Sequence, residues 1–281
     1  MDFEAEVRKI GDAEHRQHVV NLETLGFTRV ENFMSLEMCG HLLNLVRHYH
    51  AEHRGSTAEP PEEWSAGWVL NLQNKHTDFI EIQTLKFLRR IIQPRLNDPH
   101  LRNFDADQPN YILGQYMART SQDESLYLHI DAGMPAIGGE TTMMQTAFVL
   151  EDSPPEKGCT QAVPGSHRSG RYSDRESATA IDLPANARDL QIWDGRIWHG
   201  AGANTTGDTR WQIISTAQRW WVKQSYDMPR NLPQEIYERL TADERARLGC
   251  ATIPPWDEAT RRTPAVSPES LPDDGAELFA A

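Results

Sequence analysis

The spacing of apolar residues changes twice along this chain. Through the first hundred residues they recur at helical intervals, broken by one short alternating stretch, so residues 1–60 read as helix, short strand, helix. Ser35 is placed to cap a helix over 36–53, with Leu42, Leu43, Leu45 and Val46 as its apolar face. A Pro- and Glu-rich stretch over 57–63 reads as a loop, and a second helix is expected from Asp78 to about residue 96. From 110 to 216 the pattern becomes short alternating runs separated by Gly, Pro, Asn and Asp turns. Helical spacing returns over 233–249, and 261–281, rich in Pro, Asp, Glu and Ser, reads as a loose tail. The expected fold class is an all-β core with flanking helices, a double-stranded β-helix of the jelly-roll or cupin-like kind. One domain is expected over 1–260, with a helical part over 1–100, a jelly-roll core over about 108–222 and a C-terminal helix over about 233–249.

Composition narrows the class. With 38% hydrophobic and 25% charged residues, the chain has the make-up of a soluble globular protein, and no apolar run approaches the roughly 18 residues of a membrane span. The acidic start, Met-Asp-Phe-Glu, lacks the layout of a secretion signal. Cys39, Cys159 and Cys250 are odd in number and scattered, forming neither a disulfide framework nor a zinc motif, so a cytoplasmic location is expected. A net charge of −13 argues against a nucleic-acid partner, which would want a basic face.

Candidate chemistry sits at four positions. His129 and Asp131 stand two apart in Ser-Leu-Tyr-Leu-His-Ile-Asp, an alternating run followed by a turn, which sends both side chains to one face together with Tyr127. His199 follows seventy residues later and Arg210 eleven beyond that. Two imidazoles and a carboxylate hold non-haem Fe(II) on one face and leave the other open. An arginine suits the far carboxylate of a small diacid. His-x-Asp alone is weak: 11 His and 19 Asp give about 0.7 chance occurrences. Indeed a second, His76-Thr77-Asp78, opens a helical stretch, and there Asp78 reads as a helix cap. The bland alternatives for the first triplet are a solvated strand, a core histidine at 199 and a surface salt bridge at 210. The turns Asp194-Gly195 and Asn204-Thr205-Thr206-Gly207-Asp208 place His199 and Arg210 on neighbouring antiparallel strands, which favours the metal reading.

Three stretches extend the argument: His129-Ile130-Asp131; Phe148 to Thr160 running on to Pro164-Gly165-Ser166-His167-Arg168; and Trp198-His199-Gly200-Ala201-Gly202-Ala203-Asn204 with Arg210. Together they resemble the phytanoyl-CoA dioxygenase family of Fe(II)/2-oxoglutarate enzymes, over about residues 20–225. The resemblance implies that His129, Asp131 and His199 bind iron, that Arg210 clamps the 2-oxoglutarate C5 carboxylate, and that Thr160 hydrogen-bonds the same group. His167 is implied to be structural. Some relatives carry Gln at the position of Leu126, Trp at that of Ala147 and Ser at that of Ala201. Gln115 or Gln145 would then stand in for the missing Gln.

The expected activity is oxidation of a C–H bond of a small molecule, most simply hydroxylation, with 2-oxoglutarate and O₂ consumed and succinate and CO₂ released. Because related halogenases replace the carboxylate ligand with Ala or Gly, Asp131 disfavours halogenation. The same site would equally serve desaturation, epoxidation, cyclisation or epimerisation. Two other classes stay open: a cupin-like metalloenzyme of different chemistry, and a non-catalytic binding module. Loops over 64–73 (with Trp68, Asn71 and Gln73) and 133–141 are the expected pocket walls. The aromatics Trp220, Trp221 and Tyr226 are candidates for a further wall, against core packing as the commoner fate of such a cluster. The acidic, aromatic-edged character leans toward a specialised metabolite. Oligomeric state is left open.

Overall fold

The computed structural model describes residues 1–56, 67–100, 108–121, 123–135 and 140–252. The loop expected over 57–63 and the tail over 261–281 lie outside the described residues. In chain order the elements are α1 (Asp12–Thr24), β1 (Phe27–Val30), α2 (Leu36–Ser56), β2 (Trp68–Leu70), α3 (Thr77–Glu81), α4 (Lys86–Leu96), β3 (Ile112–Arg119) and β4 (Leu126–His129). There follow β5 (Met143–Val149), β6 (Thr160–Ala162), β7 (Ile181–Leu183), β8 (Leu190–Asp194), β9 (His199–Ala201) and β10 (Gln212–Gln218), then the short helices α5 (Met228–Asn231), α6 (Gln234–Tyr237) and α7 (Ala242–Arg247). Six strands form one sheet in the order β1-β8-β5-β10-β3-β2, and four form a second in the order β4-β9-β6-β7. This is the jelly-roll core, joined by β1, the short strand expected within the first sixty residues, and by β2, which forms where a loop was expected over 64–73.

The chain divides into two compact units, Met1–Leu70 with Tyr116–Thr216, and Asn71–Gln115 with Ala217–Ala281. In the first, the cap predicted at Ser35 is present: its Oγ accepts from Met38 N at 3.0 Å. Met38, Leu42 and Val46, four residues apart, are fully buried, whereas Leu43 and Leu45 are only partly so. Alternation along β5 separates two faces. Thr146 meets Ser215 at 2.6 Å and Phe148 packs against Phe33 on one of them. On the other, Ala147 joins Ala162, Trp193 and Ile197, with Phe27, Leu183 and Ile214 packed against that cluster.

The Asp194-Gly195 turn is as expected, and it is held by a buried ion pair. Arg196 donates from its backbone N and Nε to Asp194 Oδ1, each at 2.9 Å, and from Nη2 to Oδ2 at 2.8 Å. Thr141 Oγ1 adds a fourth hydrogen bond to the same carboxylate at 3.1 Å. The Asn204 turn also forms: Asn204 Oδ1 accepts from Thr206 N, and its Nδ2 donates to Asp208 O at 2.7 Å. That turn does not make a hairpin. β9 and β10 belong to different sheets, so His199, on β9, and Arg210, just before β10, do not sit on neighbouring strands. A turn sequence reports a reversal of the chain, and in a jelly roll the reversal carries it across to the other sheet.

In the second unit, the helix expected over 78–96 is two helices. Thr84 Oγ1 folds back onto Glu81 O at 2.8 Å and ends the first one. The cap is His76, whose Nδ1 accepts from Asp78 N at 3.2 Å, and not Asp78 itself. The helix expected over 233–249 is likewise broken, because Thr241 and Glu244 form a capping box that restarts the chain at α7. Arg247 is fully buried and donates to the carbonyls of Tyr111 and Pro109.

Breaking the buried pair would leave an uncompensated charge under the turn. Asp194→Asn is expected to cost about 3 kcal/mol of folding stability, against under about 0.5 kcal/mol for Arg47→Gln in the exposed Arg47–Glu151 pair, both read by urea denaturation. Equal losses would refute the ranking.

Candidate metal centre

β4 and β9 pair antiparallel with His129 directly opposite His199, so the two imidazoles start as cross-strand neighbours, 4.4 Å between ring centroids. Asp131 lies just past the end of β4, where no ladder holds it. Its backbone N and that of Ala132 both donate to Gly195 O at 2.9 Å, which folds the carboxylate back between the rings. Asp131 Oδ2 is then 3.1 Å from His199 Nε2, and Oδ1 is 3.5 Å from His129 Nε2. The three ligand atoms lie within 4.8 Å of one another, the one such grouping of three among the described residues.

The imidazoles are also oriented electronically. His129 Nδ1 lies 3.1 Å from Tyr127 O and His199 Nδ1 3.1 Å from Ile197 O. A carbonyl can only accept, so each Nδ1 carries the proton and each neutral ring turns a lone pair at Nε2 toward the centre. Gln145 Nε2 donates to Asp131 Oδ2 at 2.8 Å, and Thr216 Oγ1 fixes Gln145 by donating to its Oε1 at 2.8 Å. Burial opposes the Asp131 charge, but His199 and His129, where their Nε2 atoms carry a proton, outweigh it by charge and hydrogen bond and hold the carboxyl far below the usual range. Burial likewise opposes the imidazolium of His129, and Asp131 outweighs it, so His129 titrates above its ordinary 6.5. The set fits a divalent first-row metal such as Fe(II): two neutral nitrogens, one ionised oxygen and a carboxylate already oriented.

β4 must approach β9 closely for this to work, and Gly200 permits it. A Cβ there would collide with Leu126 O and sit 3.0 Å from Tyr127 O. The register between β4 and β9 also shifts between Leu126 and His129, the one irregularity in that ladder.

Arg210 precedes β10 and is buried. Its backbone N donates to Thr120 Oγ1 at 2.8 Å and its Nε to Lys157 O at 3.2 Å, which braces the stem of the guanidinium. Burial, with the charge of Arg119, pulls it down to about 10, so it stays cationic at neutral pH. Thr160 opens β6, buried, paired in register with Ala201. Cys159 beside it feels the Arg210 charge, and burial with Asp182 pushes its thiol up to about 11, which keeps it an uncharged neighbour. Gln115 lies on β3 in the second unit, partly buried. Of the two suggested stand-ins, Gln145 is the one that touches a ligand, and it does so as a support for Asp131.

A cavity of about 370 Å³ borders His199, lined among others by Thr160, Ala162, Gln191, Trp193 and Leu183. The Trp193 ring is 5.5 Å from that of His199. His167 sits elsewhere, its Nε2 3.2 Å from Glu23 O, tying a turn to the end of α1. His76 and Asp78 serve the α3 cap. Trp220 is bonded to Asp98 within the second unit, and Trp221 is exposed. Sequence reasoning missed Thr216 and Arg119. Arg119 ends β3 with its guanidinium carbon 5.0 Å from the Trp68 ring centroid, a contact between positions fifty-one apart that no local pattern announces.

A jelly roll with an inward His-Asp-His triad and a buried arginine defines the non-haem iron, 2-oxoglutarate class of oxygenase. Comparison with known proteins gives the same answer: the Phytanoyl-CoA dioxygenase (PhyH) family model matches residues 22–211, and the chain belongs to that family. Relatives include the uncharacterized protein Rv1501 of Mycobacterium tuberculosis, 28% identical over 115 residues (40% of this chain, 42% of that one). Dioxygenase af480 of Aspergillus fumigatus is 27% identical over 136 residues (46% and 44%). The match thus spans less than half the length of these relatives. Among solved structures, HygX from Streptomyces hygroscopicus with nickel and 2-oxoglutarate bound has a TM-score of 0.57 at 15% identity, covering 74% of this chain and 88% of its own. The epimerase SnoN, in complex with Fe3+, alpha ketoglutarate and nogalamycin RO, gives 0.56 at 18% (74% and 85%), and EctD from S. alaskensis 0.58 at 15% (78% and 82%). At these identities the likeness is one of fold.

Two outcomes follow for the metal. A proton on His129 Nε2 competes with it, so affinity should rise with pH and fall about tenfold per unit below the raised His129 pKa. Fe(II) or Mn(II) titrations at about pH 6 and about pH 8 check this, and a pH-independent affinity would refute it. Gly200→Ala, which pushes β4 away, should weaken the metal at least about tenfold while the protein stays folded, by the same titration and circular dichroism.

Proposed function

We propose that this chain is an Fe(II)- and 2-oxoglutarate-dependent dioxygenase that oxidises, most simply hydroxylates, a C–H bond of a small molecule, in specialised-metabolite biosynthesis. The observation that carries the reading is the preformed triad of His129, Asp131 and His199, with ligand atoms within 4.8 Å of one another and each Nδ1 already occupied. When bound, Fe(II) and 2-oxoglutarate supply the oxidising power, with O₂ consumed and succinate and CO₂ released.

The chain's own part is positional. Arg210 offers a braced cation to the C5 carboxylate, with Thr160 as a proposed further contact. Asp131 stays ionised and is aimed by Gln145. The apolar cluster of Ala147, Ala162, Trp193 and Ile197 keeps water from the inner wall. The free thiols Cys39, Cys159 and Cys250, all buried, suit a reducing cytoplasm. No helix among the described residues is long and apolar enough to cross a membrane. Desaturation, epoxidation, cyclisation and epimerisation use the same site, and product analysis separates them from hydroxylation.

The test is anaerobic addition of Fe(II) and 2-oxoglutarate, read by the weak visible metal-to-ligand charge-transfer band. Wild type should show it, His199→Ala should lose it, and Arg210→Ala should weaken 2-oxoglutarate binding by about 3 kcal/mol, on the order of a hundredfold. A fully metal-loaded wild type without the band would end the oxygenase reading.

A further inference from the structure

One cation of this site has no task in the proposed function, on which the following rests. Arg119 is partly buried, stacked on Trp68, its register partner across β2 and β3. It ends β3 next to Thr120, whose Oγ1 takes Arg210 N at 2.8 Å, so the strand end lies against the co-substrate arginine, and the charge of Asp131 acts on Arg119 as that of Arg119 acts on Arg210. It makes no ion pair with a carboxylate among the described residues. A guanidinium drawn out of water onto an indole face, next to another arginine, is costly to keep without an anion and is preorganised to receive one.

The local charge count says what is missing. A divalent metal and the two arginines face the single charge of Asp131 and the two of 2-oxoglutarate, so one positive charge stays unmatched. A carboxylate balances it. A phosphate monoester, at about −1.5 to −2, would overshoot, and a neutral compound would leave the charge unanswered.

A second observation points the same way. Arg175 is held in the left-handed region, at φ 60, by Leu128 N donating to its carbonyl at 2.9 Å. Its guanidinium lies 4.9 Å from the centroid of Tyr127, whose ring is 6.1 Å from that of His129. An exposed cation fixed beside the first metal ligand, in a chain of net charge −13, steers anions locally against the overall field. We propose that Arg119, on its Trp68 platform, binds a single carboxylate of the primary substrate, so that this enzyme acts on carboxylic acids and discriminates against their neutral forms.

The experiment uses the full chain loaded anaerobically with Fe(II) and 2-oxoglutarate, and as probes benzoate, phenylacetate and octanoate, each beside its methyl ester. Binding is read by perturbation of the charge-transfer band, and coupling by succinate release. The acids should perturb the band and the esters should not. In Arg119→Gln the acid affinity should fall about tenfold or more, while 2-oxoglutarate affinity stays within about twofold of wild type. Arg119→Lys should recover part of the acid response. Equal responses to acids and esters, or no response to any probe, overturn the inference alone. So does an Arg119→Gln protein that loses 2-oxoglutarate as Arg210→Gln does, since Arg119 would then serve the co-substrate. A wild type with no band overturns the oxygenase reading and this inference with it.

Discussion

The metal centre hangs on one carbonyl oxygen. Asp131 lies beyond the end of β4, and the acceptor that brings it back between the histidines is Gly195 O, taking both Asp131 N and Ala132 N. The turn that offers this oxygen is pinned on three sides: Gly195 N donates to Met143 O, Asp194 N to Gly26 O, and the buried Arg196–Asp194 pair closes it from within. Little slack remains, since even a Cβ on Gly195 would meet Met143 at 3.1 Å. A buried ion pair is weak evidence of stability. Here it fixes a backbone oxygen on which a ligand depends.

Given that anchor, the electrostatics follow. Two imidazoles whose Nδ1 atoms are committed to carbonyls present Nε2 inward; an Nε2 that carries a proton pairs with the carboxylate, and one that does not leaves Gln145 as the donor to it. Such a cluster is poorly satisfied alone, because neutral rings offer lone pairs to an anion. A proton on His129 relieves the conflict at low pH, and a divalent cation relieves it once that proton is lost. Local consistency is broken where the function lies, as expected of a site that sacrifices stability for binding.

How much of this was legible in the sequence depends on range. The strand that carries His129, the Asp194-Gly195 and Asn204 turns and the Ser35 cap were readable because each is set by two to five adjacent residues. The helix boundaries near 82 and 241 were misread because helical spacing continues through them while Thr84 and Thr241 stop the backbone by hydrogen bonds that periodicity does not register. The splitting of β9 and β10 between two sheets, the support of Asp131 by Gln145 and Thr216, and the pairing of Arg119 with Trp68 all depend on distant positions. A single sequence carries no signal for contacts of that kind.

The departures from the family pattern are informative for the same reason. Where some relatives place Trp, this chain has Ala147, and Trp193 enters the same buried cluster from the neighbouring strand β8. The volume is supplied from one strand over, which a packed core tolerates, but the polar edge moves with it. Trp193 Nε1 and Gln191 Oε1 are buried without a hydrogen-bond partner, and both residues line the cavity beside His199. The metal set cannot vary without loss of chemistry, whereas the walls vary with whatever they hold. Selectivity in this chain is therefore to be sought in the residues of the walls, Trp193, Gln191 and the Arg119–Trp68 stack, and not in the triad that would hold the metal.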